Sequence, residues 1–396
     1  MPSSQDHDEL LQVAQALLRI PSVTSHELEM ARYVQGYLEP LGFSCSINEY
    51  NSIVSIGRFG LGPTILLDAH IDTVDANPSE WAHGPYAGIV EKGRLYGRGA
   101  SDMKGALAAM IVAAKRLAQA GSSLRGTLVL TGTSWEEYFE GYTLGKAMEQ
   151  LSHLGLRPDA VIIGEASELN VKRGQRGRTR VYCDVKGRAA HSAHPEQGIN
   201  AVYQAAVLID RVRRLALPTD AFLGQGIVEL VGIQSQPQPV DSVVPYQCRV
   251  SYDLRLLPGE TREAVLERFH SVVRDIQGTD PQFAADFQIA SGELITAQGC
   301  KEIVEAFPLA WKTSEDHPLV QKALSALRAV GQSPKITKYD FCTNGSYSAG
   351  IAGVPTIGFG PGKETTAHIV DEFIELGELE QACKGYLAIV QRLLAE

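Results

Sequence analysis

Five short segments carry a carboxylate or an imidazole at or just past an apolar run. In Leu66-Leu67-Asp68-Ala69-His70-Ile71-Asp72-Thr73 the run ends in His-x-Asp. A neutral imidazole binds zinc, and a nearby carboxylate orients the ring and raises its basicity. Tyr96-Gly97-Arg98-Gly99-Ala100-Ser101-Asp102-Met103-Lys104-Gly105 is a glycine-rich turn that delivers Asp102 to the start of a helix. Ser134-Trp135-Glu136-Glu137 follows a third apolar stretch, and adjacent carboxylates repel in a buried site unless a cation lies between or beside them. Ile162-Ile163-Gly164-Glu165-Ala166 repeats the arrangement, and Gly360-Pro361-Gly362 leads to Ala367-His368. Each segment alone has a plainer reading: Asp102 as a helix N-cap, Glu136 and Glu137 as an acidic loop, Glu165 and His368 as solvated loop residues.

The elements that must position these groups are legible from periodicity. Leu10, Leu11, Ala14, Leu17 and Leu18 recur at helical spacing, and Thr24 with Glu27 reads as a capping box ahead of Leu28, Ala31, Val34 and Leu38. Apolar strands at Thr64 to Leu67, Thr127 to Leu130 and Val161 to Ile163 flank a long helix from Gly105 to Ala120, closed by Gly121. Continuous apolar strands between helices imply an α/β fold with a buried, mostly parallel sheet flanked by helices. From Thr179 the order becomes strand, helix, strand, strand, helix, strand, the pattern of a ferredoxin-like α+β domain. A helix at Leu319 to Val330, a strand at Pro355 to Phe359 and a helix at Leu376 to Leu394 then resume the first rhythm. The expected organisation is a larger domain of residues 1–177 and 296–396, which carries the chemistry-bearing segments, interrupted by an inserted domain of residues 178–295. Most of the acidic and imidazole groups then fall at the carboxyl ends of strands, the edge where open α/β sheets bind ligands.

Composition narrows the functional classes. The net charge of -10 and pI of about 5.6 argue against nucleic acid or an anionic membrane as partner. One basic run, Lys172, Arg173, Arg176, Arg178 and Arg180, reads either as a holder of a small anionic group or as a solvated loop. The N-terminal stretch lacks a basic region leading into an apolar one, so no secretory signal is expected, and no stretch reads as a membrane helix. Six scattered cysteines without a C-x-x-C pair fit a cytoplasmic location.

Taken together, the segments resemble those of the two-zinc hydrolases that include acetylornithine deacetylase, succinyl-diaminopimelate desuccinylase, aminoacylase and glutamate carboxypeptidase. The resemblance covers essentially the whole chain. Gly174-Gln175-Arg176-Gly177 and Phe341-Cys342-Thr343-Asn344-Gly345 look most like the branch linked to selenium metabolism. It implies two divalent ions, Zn2+ with Co2+ or Mn2+ as alternatives, one held by His70 and Glu165, the other by Glu137 and His368, with Asp102 bridging. Asp72 is then the partner of His70, and Glu136 the general base. A cis peptide follows Asp102. His191, in the inserted domain, helps hold the oxyanion and in the family reaches the neighbouring subunit, so a homodimer through that domain is expected. Arg255 is expected to bind a substrate carboxylate, with a salt bridge to Asp253 as the plainer reading; Arg176 and Asn344 are also placed toward substrate.

The pattern departs from the family twice. Ser242-Val243-Val244-Pro245 lacks an asparagine that many relatives carry, and the region of Thr343 and Asn344 lacks an acidic residue. The activity implied is hydrolysis of a small N-acyl amino acid or dipeptide-like substrate. The alternatives are an N-carbamoyl amino acid amidohydrolase and a catalytically dead binding subunit.

Overall fold

The fold is described from a computed structural model that covers residues 4–120, 124–238 and 241–395, with side chains from residue 8 onward. Gly121, expected to close the long helix, lies outside the described residues. The chain divides into two compact units, one of residues 1–175, 293–302 and 311–396, the other of residues 176–292 and 303–310.

Among the described residues, the first unit is built on a nine-stranded mixed sheet. Its centre is four neighbouring parallel strands in the order Thr127–Thr133, Thr64–His70, Ala160–Ile163 and Thr356–Gly358. Antiparallel partners flank them, with Ile53–Arg58 and then Ser44–Ile47 on one side and Val171–Gln175 on the other. The central strands are buried along their whole length because both sheet faces are covered. Ile65, Leu67 and Ala69 pack into a core with the helices Gly105–Gln119, Pro318–Ala329 and Leu376–Leu394, while Leu66, Val129 and Val161 pack against Leu144, Ala147 and Leu151 on the opposite face. The two-residue alternation of a strand divides these side chains between the two cores. Gly105–Gln119 is buried around its full circumference as far as Ala114, which the Ala-rich, apolar sequence of that stretch permits.

The capping box expected at Thr24 and Glu27 does not form. The helix Leu28–Leu38 has no side-chain cap; Glu27 Oε1 accepts the Ser25 N–H instead, and the Thr24 hydroxyl is drawn to Asp72. The Asp72 carboxylate offers Thr24 a charge-assisted bond, stronger than the neutral bond to a backbone N–H that a cap would make. The helix Tyr142–His153, which the periodicity reading passed over, covers the second sheet face. The basic run is mostly strand, with Lys172 and Arg173 in Val171–Gln175, Arg178 and Arg180 in Gly177–Lys186, and Arg176 between them. Lys172 pairs with Glu364 at 2.7 Å, Arg173 donates to the Thr313 carbonyl and Arg178 to Asp253, so these cations are engaged by the protein itself.

Apart from a short hairpin of Thr219–Asp220 and Gly224–Gln225, the second unit has the order strand, helix, strand, strand, helix, strand, from Gly177–Lys186 to Ala284–Ile289. Its four-stranded antiparallel sheet runs Ile227–Gln236, Gln247–Leu256, Gly177–Lys186, Ala284–Ile289, and the helices Ala201–Arg213 and Arg262–Gln277 pack into its core. Asn200 and Thr261 cap those helices through side-chain oxygens, which explains why their starts are readable from sequence.

Candidate metal centre

The strand register gathers the site. His70 pairs with Thr133 at the carboxyl ends of adjacent parallel strands, and the Ile71 N–H continues the ladder to the Thr133 carbonyl at 2.7 Å. Asp72 therefore runs beside Glu136 and Glu137. On the other side Asp68 pairs with Ile163, and Ile163 with Gly358, so Glu165 and the Gly360 turn leave the sheet at the same edge. Gly360 must be glycine, because a Cβ there would lie 2.2 Å from the Gly164 carbonyl oxygen. Asp102 arrives from the loop before Gly105–Gln119, and the Asp102–Met103 peptide is cis. Trp135, preceding Glu136, and His368 both hold positive φ, at 58° and 61°, a region that non-glycine residues seldom occupy. Such backbone is tolerated where surrounding contacts fix it, and here it aims functional side chains.

The two histidines share one carboxylate. Asp102 Oδ1 lies 2.8 Å from His70 Nε2, and Asp102 Oδ2 lies 3.0 Å from His368 Nε2. Glu165 Oε1 approaches His70 Nε2 at 3.6 Å, and Glu137 Oε2 approaches His368 Nε2 at 3.0 Å. Ligand atoms of His70, Asp102 and Glu137 fall within 4.8 Å of one another, and so do those of His70, Glu136 and Glu165. One oxygen of Glu136 is buried without a hydrogen-bond partner.

Burial, with the Glu165 charge adding, pushes the Glu136 carboxyl well above the usual carboxylate range. Burial and the Asp102 charge raise Glu165 likewise. Hydrogen bonds donated to the Asp102 and Glu137 carboxylates push the His368 imidazole up to about 10. At His70 burial opposes protonation, but Glu165, Asp102 and Asp72 together hold its pKa well above that of an ordinary histidine. Four clustered carboxylates against two imidazoles form a site that calls for positive charge, and its oxygen and nitrogen donors suit divalent ions. The residues present thus fit a pair of such ions.

Asp72 holds His70 differently from expectation. His70 Nδ1 lies 2.9 Å from the Asp72 backbone carbonyl, whereas the nearer carboxylate oxygen is 3.6 Å away. The carboxylate instead accepts the N–H groups of Glu136 and Glu137 at 3.2 and 3.3 Å and the Thr24 hydroxyl at 2.9 Å. Asp72 is fully buried, so these donors balance its charge.

Asn344, expected to face substrate, is a buried brace. Both of its amide hydrogens are committed, to Asp68 at 2.9 Å and Thr133 at 2.8 Å, and its oxygen accepts the Gly141 N–H at 2.7 Å. With no donor left and 1% exposure, it offers a ligand little. Sequence reasoning also passed over Glu372, a fully buried carboxylate gripping the loop of Asp102, and read Thr24, which donates to Asp72, only as a helix cap. A signal existed for Glu372 in a charge set among Val370, Phe373 and Ile374.

The remaining candidates belong to the second unit. The exposed His191 accepts the Ala193 N–H at Nδ1, which in the neutral ring leaves Nε2–H as a donor. Arg255 Nη2 lies 3.3 Å from Asp253, the plainer of its two expected roles, and Arg176 donates to the Gln225 carbonyl.

Residues 66–392 match the family model described as peptidase family M20/M25/M40. The uncharacterized protein YgeY of Escherichia coli strain K12 is 33% identical over 387 residues, spanning 96% of this chain and 93% of its own. A succinyl-diaminopimelate desuccinylase of Alkalilimnicola ehrlichii is 28% identical over 396 residues, 98% of this chain and 99% of its own. Among solved structures, a dinuclear metal-binding M20 peptidase from Bacillus subtilis superposes with a TM-score of 0.73 at 16% identity, over 99% of both chains.

Proposed function

This chain belongs to peptidase family M20/M25/M40, and from that premise we propose that it is a two-metal amidohydrolase cleaving a small N-acyl amino acid or dipeptide-like substrate. The observation that carries the proposal is the split of Asp102, one oxygen toward each histidine, with Glu165 and Glu137 completing two half-sites. His70, Glu165 and Asp102 would hold one ion, and Glu137, His368 and the same Asp102 the other. The relative described as a dinuclear metal-binding peptidase supports the pair, and the nitrogen and carboxylate donors suit Zn2+ first, with Co2+ or Mn2+ able to substitute.

When bound, such ions lower the pKa of water and polarise a carbonyl. Glu136 serves as general base. Its buried oxygen without a hydrogen-bond partner is placed to take a proton, and burial, which favours the protonated carboxyl, helps it hold that proton until it is returned. It removes a proton from the attacking water, the water oxygen adds to the amide carbon, and Glu136 passes the proton to the departing amine. Asp72 fixes the backbone of Glu136 and Glu137 during these transfers. His191 contributes its Nε2–H to the developing oxyanion. Arg255 and Arg176 take the substrate's carboxylate in this reading.

We assign homodimerisation to the second unit. Among the described residues, its outer strand Ile227–Gln236 pairs on one side only and exposes Ile227, Val231 and Ile233, an edge suited to a second copy. None of the six cysteines is in a disulfide, and among the described residues no helix is long and apolar enough to cross a membrane; the cytoplasmic location is proposed from the scattered cysteines without a C-x-x-C pair.

The deciding experiment is amine release from a panel of N-acyl amino acids, dipeptides and N-carbamoyl amino acids, run on metal-free protein and after return of zinc, cobalt or manganese. Metal-dependent amine release from acyl or dipeptide substrates supports the reading. Turnover confined to carbamoyl compounds, with ammonia and carbon dioxide as co-products, replaces it with the carbamoyl reaction. Inactivity of a fully loaded protein on every substrate leaves only a binding role.

A further inference from the structure

Glu372 is a fully buried carboxylate outside the proposed ligand set. Its Oε1 accepts the backbone N–H groups of Ser101 at 2.8 Å and Asp102 at 3.0 Å. Its Oε2 accepts Arg98 Nη1 at 2.7 Å and the Gly99 N–H at 3.2 Å. Every donor comes from residues 98–102, the turn that presents Asp102. Glu372 is also the fourth residue after His368, and its own carbonyl accepts the Gly97 N–H at 2.9 Å, so one short segment carries a ligand and grips the loop of another. A second tie lies on the near side of His368. The Thr366 hydroxyl donates to Ser101 Oγ at 2.9 Å, and Ser101 Oγ donates to the Lys363 carbonyl at 3.2 Å. The chain around His368 is thus fastened to the Asp102 loop both before and after the histidine. The half-site of His70 and Glu165 is held otherwise, by adjacent strands of the central sheet.

From this arrangement we infer that Glu372 is a positioning residue that keeps Asp102 in register with His368, and that it governs occupancy of the Glu137–His368 half-site more than that of the His70–Glu165 half-site. The inference rests on the two-ion reading above. Four donors converge on two oxygens, two on each. A neutral amide at this position must turn its NH2 group toward two N–H donors whichever way it is rotated, so the loop has to shift. A shift of Asp102 reaches both half-sites, but it reaches His368 twice, through the shared carboxylate and through the segment that carries both residues.

The test is a Co2+ titration of metal-free protein, followed by absorption spectroscopy and calorimetry, on wild type, Glu372→Gln and Glu372→Asp. Wild type takes two ions per chain. Glu372→Gln retains one tight site and weakens the other about 10- to 100-fold, the range typical of residues that orient metal ligands. Glu372→Asp keeps the charge but retracts it by one methylene, and it shows the same selective loss to a smaller degree. Circular dichroism checks the fold, and if Glu372→Gln does not fold, Glu372→Asp carries the comparison. Two unchanged sites, or two sites weakened equally in a folded variant, overturn the inference. Fewer than two ions in wild type overturns the two-ion reading itself, an outcome distinct from the selective effect of Glu372.

Discussion

Asp72 Oδ1 accepts the backbone N–H of Glu136 at 3.2 Å, so the residue expected to orient a histidine also fixes the proposed general base. Oδ2 does the same for Glu137 and takes the Thr24 hydroxyl besides. Asp72→Asn leaves one of these N–H groups facing an amide NH2. Turnover should fall at least about 10-fold with a parallel loss of metal affinity, read by steady-state kinetics and calorimetry. An unchanged kcat would remove Asp72 from the mechanism.

Glu136→Ala should lower kcat by about 100- to 10,000-fold, the range of general acid–base catalysis, while two metal ions per chain are retained in elemental analysis. Retained turnover would assign the base elsewhere. Loss of an ion along with activity would make Glu136 a ligand.

Asn344→Ala strips Asp68 and Thr133 of a donor and Gly141 of an acceptor in the interior. Stability should drop by about 2 to 4 kcal/mol in chemical denaturation, because buried polar groups left without partners cost about 1 to 3 kcal/mol each. KM should not change at temperatures where the variant is folded. A raised KM with intact stability would return Asn344 to the substrate site.

Burial, with the Asp72 charge adding, pushes the fully buried Glu27 carboxyl up to about 7. A carboxyl raised in the folded state binds its proton more tightly than it does in the unfolded chain. Its contribution is therefore complete below the ordinary value of 4.5 and is lost as pH rises through about 7. In metal-free protein, the denaturation midpoint of wild type minus that of Glu27→Gln should fall across this interval. A flat difference would show that the carboxyl titrates normally.

Val231→Lys with Ile233→Lys places two charges on the outer strand Ile227–Gln236. Sedimentation should show wild type as a dimer and the double variant as a monomer. A dimer in both would move the interface away from this edge.

The legible parts of the molecule are those where a local rule and the global fold agree. The strands Thr64–His70 and Thr127–Thr133 are buried on both faces, so an unbroken apolar run was a sufficient sign. The helices beginning after Asn200 and Thr261 announce themselves through caps that form as local chemistry prescribes. Thr24 shows the opposite case, since a pattern correct for a cap was overruled by a carboxylate distant in sequence. Asn344 and Glu372 were misread or passed over for a related reason. Their roles depend on partners at Asp68 and Ser101, and nothing in the spacing of residues announces a contact made only after the sheet assembles. Apolar runs followed by a polar residue marked most of the metal-binding candidates as lying at one sheet edge, but their assignment as a ligand set came from the family resemblance, because nothing in the spacing says which of them meet.

The central sheet takes its four parallel strands in a spatial order different from their order along the chain, with Thr356–Gly358 beside Ala160–Ile163. During synthesis, an N-terminal portion that has already left the ribosome can bury His70 and Glu165, yet it lacks the histidine that follows the last of these strands. The cage must stay half built until that late segment threads in next to its much earlier neighbour. In the two-ion reading, the Glu137–His368 half-site therefore closes only once the last of these strands lies against Ala160–Ile163.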